Sequence, residues 1–246
     1  MARDFSGTDQ YLSAPTVAIS GSHTLGLWAK FDALTYAGND FGVAGIFAKG
    51  FWGGDGNGDT RLVFVNPNIQ AQVDTSAGNT AAAWPVSNIS TGTWYHIALT
   101  WDGTTTTLFV DGTSRATSTP GGTFSDNSRG ILFGAYPNNV ANTEMDGQLA
   151  EAAIWNAVLD ASELAALTKG FSPPMIRPAS LAAYWPLIGN ASPEIELRGG
   201  AEATVTSATA IAHPRVIYPD TVMVATAAAA AAAATRSYRL SLMGVS

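Results

Sequence analysis

The segment Gly92–Gly112, GTWYHIALTWDGTTTTLFVDG, constrains the fold of this chain more than any other stretch. Its first half alternates with a period of two, which is typical of a strand with one well-buried face. Asp102-Gly103 and Asp111-Gly112 are turn signals that enclose a second, shorter apolar run. The segment therefore predicts an antiparallel meander. Its aromatic residues expected in the core are Trp94, Trp101 and Phe109.

Short apolar runs recur along the rest of the chain at intervals of roughly 8–15 residues, separated by turns rich in Gly, Asn and Asp. Phe5–Leu12 and Ala14–Ile19 indicate the first pair of strands. One helix is predicted before the C-terminal tail, because Asp160 and Glu163 have the spacing of a capping box and Gly170 suits the helix stop. The pattern predicts an all-β fold, a jelly-roll sandwich of two antiparallel sheets with one short helix and a C-terminal extension.

Composition excludes several function classes. The net charge is −7 with only 12 Lys and Arg, and no basic run occurs, so nucleic acid is not an expected partner. The chain has no cysteine, which excludes disulfides and zinc-thiolate sites. The N-terminal sequence lacks the apolar core of a signal peptide, and the longest apolar run, Val222–Ala234, is shorter than the ~20 residues that cross a bilayer. We expect a soluble protein with no export signal and no membrane span.

The sequence changes character after Pro219. Residues 220–246 contain eight consecutive alanines, Ala227–Ala234, followed by an alternation of apolar residues. Eight alanines favour a helix but are too few to hold one alone in water. One interpretation is a low-complexity tail. The alternative is an arm that anchors the chain to partner subunits or to copies of itself, and the low charged fraction of 13% suits a subunit of a larger assembly.

Three segments resemble the laminin-G-like (LamG) group of the concanavalin A-like lectin/glucanase superfamily. They are Phe5–Leu12 (FSGTDQYL), the meander Gly92–Gly112, and Met145–Leu167 (MDGQLAEAAIWNAVLDASELAAL). The resemblance implies a jelly roll whose relatives are glycan-binding, adhesion or enzyme-appended modules. The sequence from Ser172 onward resembles an extension on LamG proteins of bacterial viruses. The expected organisation is a jelly roll over residues 1–187, a packed β extension over 188–219 and an arm over 220–246.

Four aromatic residues are candidates for stacking on a sugar, because each lies beside Gly, Pro or Asn in a predicted loop. They are Phe51, Trp52, Trp84 and Tyr136. Aromatic residues in such positions also suit protein–protein interfaces. The remaining tryptophans lie in predicted strands and are expected in the core. These are Trp28, Trp94, Trp101, Trp155 and Trp185.

The candidate metal ligands are Asp55, Asn57 and Asp59, whose alternating oxygen-bearing side chains in a glycine-rich loop resemble the first half of a calcium-binding EF-hand loop. The match then stops, since Thr60 replaces the required glycine. The alternative interpretation is a polar hairpin loop. Members of the LamG group often carry an aspartate, available to calcium, where this chain has Ala150. A bound Ca²⁺ is therefore a hypothesis that rests on the loop alone.

Glu194 and Glu196 are the only pair of carboxylates with the alternation that glycoside hydrolases use. Their position beside Pro and Gly-Gly favours a solvated turn instead. His96 lies in the middle of a predicted strand, where a packed and hydrogen-bonded role is expected. We therefore expect no enzymatic activity.

These observations favour a non-enzymatic structural or decoration protein on the virion surface of a bacterial virus, in its capsid or tail. LamG-like folds usually act outside cells, whereas this N-terminal sequence carries no export signal, and lysis would release a virion protein. The arm over 220–246 would bind other virion subunits, and the jelly roll could bind cell-surface glycans. The alternative is a free carbohydrate-binding or adhesion module, and a glycoside hydrolase is the least favoured hypothesis.

Overall fold

The computed structural model describes residues 2–34, 42–50, 57–136, 143–189 and 192–218. In chain order the strands are β1 (Ala2–Ser6), β2 (Tyr11–Ala14), β3 (His23–Phe31), β4 (Val43–Lys49), β5 (Thr60–Val65), β6 (Asn68–Val73), β7 (Ala81–Pro85), β8 (Trp94–Trp101), β9 (Thr106–Val110), β10 (Thr113–Ser118), β11 (Ile131–Phe133), β12 (Asp146–Trp155), β13 (Leu181–Trp185), β14 (Thr204–Thr206) and β15 (Thr209–Ile211). The α-helix in these ranges is α1 (Ala161–Thr168), and single turns of 3₁₀ helix span Val86–Asn88 and Pro173–Met175.

The strands form two antiparallel sheets, which confirms the predicted fold class. The eight-stranded sheet has the order β10-β9-β8-β3-β12-β1-β15, with β13 also paired to β12. The seven-stranded sheet has the order β14-β2-β11-β4-β5-β6-β7. Strands β8, β9 and β10 are sequential neighbours joined by turns at the two Asp-Gly signals, so the predicted meander is confirmed.

The main core lies between the two sheets and contains the inward half of each alternating strand. Phe47 stacks on Phe133 with ring centroids 4.8 Å apart, and Phe133 meets the edge of Trp185 at 5.2 Å. Trp101 is fully buried here, as predicted. Trp94 and Phe109 are only half-buried and point away from this core, so their predicted place in it is wrong. Alternation shows that a strand has two faces, and it does not say which face meets the other sheet.

The eight-stranded sheet is also covered in part on its outer face, the face turned away from the other sheet. Helix α1 places Leu164 and Leu167 against Trp155 in a second apolar cluster. The predicted capping box is present: the Asp160 carboxylate accepts from the Ser162 and Glu163 amides, and Glu163 accepts from the Asp160 amide. Because these bonds satisfy donors at the helix start, a helix of only two turns is held in place on the sheet.

The C-terminal extension adds an edge strand to each sheet. Strand β14 pairs with β2 in the seven-stranded sheet, and β15 pairs with β1 in the eight-stranded sheet. The segment Ala14–Ile19 was expected to be a strand, but its residues after Ala14 have no ladder. Pro15 has no N–H to donate, and the Ile19 amide donates instead to the carboxylate of Asp126 at 3.0 Å.

Residues 213–218 return to the outer face of the eight-stranded sheet and meet Glu151, a carboxylate buried in β12. Glu151 accepts from the hydroxyls of Tyr184 at 2.8 Å and Tyr218 at 2.6 Å, and the Nε2 atom of His213 lies 3.1 Å away. Burial, followed by the charge of Glu151, raises the pKa of both tyrosines, which therefore remain hydrogen-bond donors. These contacts hold the end of the extension on the sheet.

Candidate functional site

The outer face of the seven-stranded sheet carries a row of amide side chains. Along β6, Ile69, Ala71 and Val73 point into the main core, so the alternate residues point outward. These are Asn68, Gln70 and Gln72, all half-buried, and we name them the amide row. The polar half, Asn-x-Gln-x-Gln, was the signal that could have found the row.

The amide row is tied to a buried ion pair through a continuous hydrogen-bond chain. Arg61 in β5 donates from Nη1 and Nη2 to the Asp74 carboxylate, both at 3.0 Å. Its Nε donates to Oε1 of Gln72 at 2.8 Å, and Nε2 of Gln72 donates to Oε1 of Gln70 at 2.7 Å. Burial raises the pKa of Asp74, and the Arg61 charge opposes that rise. The hydrogen-bond chain therefore runs from a buried carboxylate to the half-buried amide of Gln70.

Apolar side chains flank the amide row on both neighbouring strands. Gln70 lies directly opposite Val63 in β5 and opposite Ala83 in β7. Val63 is buried with Val43 and Tyr136 in a small separate cluster, whereas Ala83 is exposed. The face thus combines oriented polar groups with one small exposed apolar side chain, Ala83, and both kinds of group occur in ligand sites.

The two aromatic candidates that the structure describes, Trp84 and Tyr136, do not form an exposed platform. Tyr136 is 4% exposed and its ring lies under the Arg61 guanidinium, 5.9 Å from ring centroid to Cζ. Burial raises the pKa of Tyr136 to about 12. Trp84 lies in strand β7 rather than in a loop, half-buried against the main core, with Arg115 over its ring at 5.1 Å. Phe51 and Trp52 lie outside the described residues, so their role stays a prediction.

Two of the three calcium candidates are engaged by protein donors. The buried Asp59 carboxylate accepts from Asn127 at 2.6 Å and pairs with Arg129 at 3.2 Å. Burial raises the pKa of Asp59, and the amide and guanidinium contacts lower it. Oδ1 of Asn57 accepts from the Ser125 amide at 3.1 Å. Asp55 lies outside the described ranges, and within those ranges no cluster of three metal-ligating side chains occurs. Calcium binding by the loop stays a prediction.

Glu194 and Glu196 are buried, so the predicted solvated turn is wrong. Glu194 pairs with the Arg3 guanidinium at 2.8 Å and accepts from the Ile188 amide at 2.8 Å. Glu196 accepts from the Tyr184 amide at 2.7 Å and from four further backbone amides. Both carboxylates organise the extension, and neither is presented to a substrate as a general acid or a nucleophile.

An aromatic surface lies on the outer face of the eight-stranded sheet. It is formed by residues that were expected in the core. Trp28 and Trp94 are both half-buried there, and the Lys30 ammonium lies 5.7 Å from the Trp94 ring centroid. His96 packs against the edge of Trp28 and is 2% exposed. The predicted packing of His96 is present, but its Nδ1 has no hydrogen-bond partner among the described residues. Burial lowers the pKa of His96 to about 3.

No helix in the described parts of the chain is long and apolar enough to cross a membrane. The chain is similar in structure to a protein from Bacteroides ovatus described as carbohydrate-binding, with 20% identity, a TM-score of 0.61, and coverage of 85% of this chain and 58% of that protein. It is also similar to the heptameric SAP-like pentraxin of Limulus polyphemus, with 18% identity, a TM-score of 0.51, and coverage of 68% and 81%. These similarities describe the fold. No curated protein sequence matches the chain.

The family assignment comes from the sequence of the jelly roll. Residues 6–165 match Laminin_G_3, described as a family of the concanavalin A-like lectin/glucanases superfamily. The matched range runs from the end of β1 into helix α1 and includes the meander and the amide row. The chain therefore belongs to the Laminin_G_3 family of the concanavalin A-like lectin/glucanases superfamily.

Proposed function

We propose that this chain is a carbohydrate-binding or adhesion module, and that the outer face of the seven-stranded sheet is its recognition surface. The observation that carries the proposal is the amide row, Asn68, Gln70 and Gln72. Carboxamides both donate and accept hydrogen bonds, which matches the hydroxyl groups of a sugar. Ala83 lies opposite Gln70 on β7 and is exposed, so it can contact the apolar face of a sugar ring.

The charges under this face support a neutral glycan rather than a charged ligand. The guanidinium of Arg61 is engaged by the Asp74 carboxylate and by Gln72. The positive charge is therefore matched inside the protein, and an anionic ligand would have to displace Asp74. Breaking a buried pair of this kind is strongly unfavourable. The family membership and the carbohydrate-binding description of the Bacteroides ovatus neighbour agree with this class of ligand.

The experiment is glycan-array binding by the purified chain, followed by calorimetry with the best ligand. We expect Gln70→Ala to weaken binding about tenfold or more, since a polar contact that positions a ligand is lost. Gln10→Ala is the matched control, because Gln10 is also half-buried but accepts from the Ser6 amide beside β2, four strands away from β6 in the sheet. Absence of glycan binding by the wild type, or full binding by Gln70→Ala, would reject the proposal.

We infer the virion setting from sequence features, and it is a proposal separate from the ligand. The extension resembles that of LamG proteins of bacterial viruses, and the charged fraction of 13% suits a subunit packed in an assembly. Residues 220–246 would be the anchor to other virion subunits or copies of the chain. Deletion of 220–246 should abolish incorporation into particles, as measured by quantitative blotting of purified virions. Undiminished incorporation would contradict the anchor.

The module is proposed to be non-enzymatic. The structural contacts of Glu194 and Glu196 support this, because both carboxylates are buried and accept hydrogen bonds from Arg3, Tyr184 and Ile188. We expect no release of reducing sugar from any glycan that the chain binds. Release that disappears in a Glu194→Gln/Glu196→Gln double variant that still folds would establish a glycoside hydrolase instead.

A further inference from the structure

We propose that the hydrogen-bond chain from Asp74 to Gln70 presents the Gln70 amide to ligand as a donor, and that the surface thereby selects sugars carrying an acetamido group. The inference rests on the proposed function of this face and names the class of sugar. Two observations carry it: the direction of four hydrogen bonds and the apolar neighbours of Gln70.

The direction of the chain follows from the chemistry of Arg61. The two ends of a carboxamide are similar in shape, so contacts alone leave an isolated glutamine ambiguous. A guanidinium has only donors, and its Nε lies 2.8 Å from Gln72, so the oxygen of Gln72 must face it. The NH₂ group of Gln72 then faces Gln70 at 2.7 Å and requires the oxygen of Gln70. The NH₂ group of Gln70 remains, turned away from the chain.

Asp74 makes the arrangement rigid. Its two carboxylate oxygens each accept from one terminal nitrogen of Arg61 at 3.0 Å, which is the bidentate geometry of a guanidinium–carboxylate pair. Arg61 is 2% exposed, so solvent does not compete for these bonds. The ligand therefore meets an amide whose orientation is set before binding, and a preorganised donor loses little entropy when it is used.

The surroundings of Gln70 distinguish an acetamido group from other acceptors. A hydroxyl can donate or accept, so a fixed donor would not select for it. A carboxylate would need a cation, and Arg61 is already paired. An acetamido group offers a carbonyl oxygen that only accepts, together with a methyl group. Ala83 is exposed beside Gln70, and Val65 is half-buried on β5 two residues beyond Val63, so both are placed to contact that methyl.

The testing variant is Gln72→Glu, which changes the direction of Gln70 without changing Gln70 itself. A carboxylate at 72 still accepts from Arg61 but cannot donate to Gln70. The Gln70 amide should then turn over, give its NH₂ group to Glu at 72 and present its oxygen outward. Gln10→Glu is the matched control, because it adds the same charge at a half-buried glutamine outside the amide row, whose Oε1 accepts from the Ser6 amide as a carboxylate also would.

Binding is measured by calorimetry with oligomers of N-acetylglucosamine and with glucose oligomers of the same length and linkage. We expect the wild type to prefer the acetylated oligomer. We expect Gln72→Glu to lose about tenfold or more of that affinity, and Gln10→Glu to lose less than about threefold. An unchanged affinity of a folded Gln72→Glu variant would overturn the inference.

The wild type alone provides a second test that does not depend on folding of the variant. Binding of the glucose oligomer as tightly as the acetylated oligomer would overturn the acetamido inference and leave the proposed glycan-binding function standing. Absence of binding to every glycan on an array would overturn both. Preference for the acetylated oligomer, lost in Gln72→Glu, supports both.

Discussion

Replacing Glu196 by glutamine should destabilise the fold strongly, although the two side chains have nearly the same shape. The carboxylate is 4% exposed and lies under the segment that leads into β14. Its two oxygens accept from five backbone amides. These belong to Tyr184 and Arg198 on Oε1, and to Gly199, Gly200 and Ala201 on Oε2.

The magnitude follows from the number of amides that a glutamine cannot serve. A carboxamide has one oxygen, so at least two of the five N–H groups would face an NH₂ group in place of an acceptor. A hydrogen bond to a charged group contributes about 1.5–3 kcal/mol, so the loss of two corresponds to about 3–6 kcal/mol. For a domain of this size each kcal/mol lowers the melting temperature by about 2–4 °C, so we expect a decrease of at least about 6 °C.

The assay is urea unfolding followed by tryptophan fluorescence, with a parallel thermal scan. Glu202→Gln is the matched control, because Glu202 is exposed in the same extension, and its unfolding free energy should change by less than about 0.5 kcal/mol. A Glu196→Gln variant within about 0.5 kcal/mol of the wild type would refute the reasoning. It would mean that Glu196 is solvated, as its sequence context had suggested.

Two further predictions concern the core and the outer face. Gly45→Ala should destabilise the fold by about 1–3 kcal/mol or more in urea unfolding, because the added Cβ overlaps the carbonyl of Ala135, whereas Gly21→Ala meets no atom within 4 Å and should be neutral. His96 stays neutral in the folded state, its pKa being lowered to about 3 by burial, while the unfolded chain takes up a proton near pH 6.5. Stability is therefore lost as the pH falls below about 6.5, and the wild type should lose about 2 kcal/mol more than His96→Gln between about pH 7 and about pH 5. Equal pH dependence of the two proteins would contradict the buried neutral histidine.

The fold was largely predictable because its signals are local. The alternation and the two Asp-Gly turns of Gly92–Gly112 specify β8, β9 and β10 without reference to the rest of the chain. The capping-box spacing specifies the start of α1 in the same way. The place of Trp94 could not be predicted, because both faces of β8 carry large side chains. Which face meets the other sheet depends on partners distant in sequence.

The candidate site was hidden for a related reason. The polar half of β6 is visible in the sequence, but its importance depends on the cross-strand register that sets Gln72 opposite Arg61. Register between β5 and β6 also places Gln70 opposite Val63, and neither pairing can be read from composition. The burial of Glu196 could not be predicted, because its donors are backbone amides, which have no sequence signature. The network lies among polar side chains of a sheet face and not among the aromatic residues predicted in loops.

The most direct test of the proposed recognition surface is a titration of ¹⁵N-labelled protein with its best glycan, followed by amide and side-chain chemical shifts. We predict shifts in Asn68–Val73, including the side-chain NH₂ signals of Gln70 and Gln72, and in the neighbouring residues of β5 and β7. Shifts confined to the outer face of the eight-stranded sheet, around Trp28 and Trp94, would place the ligand on the opposite side of the sandwich and contradict the account.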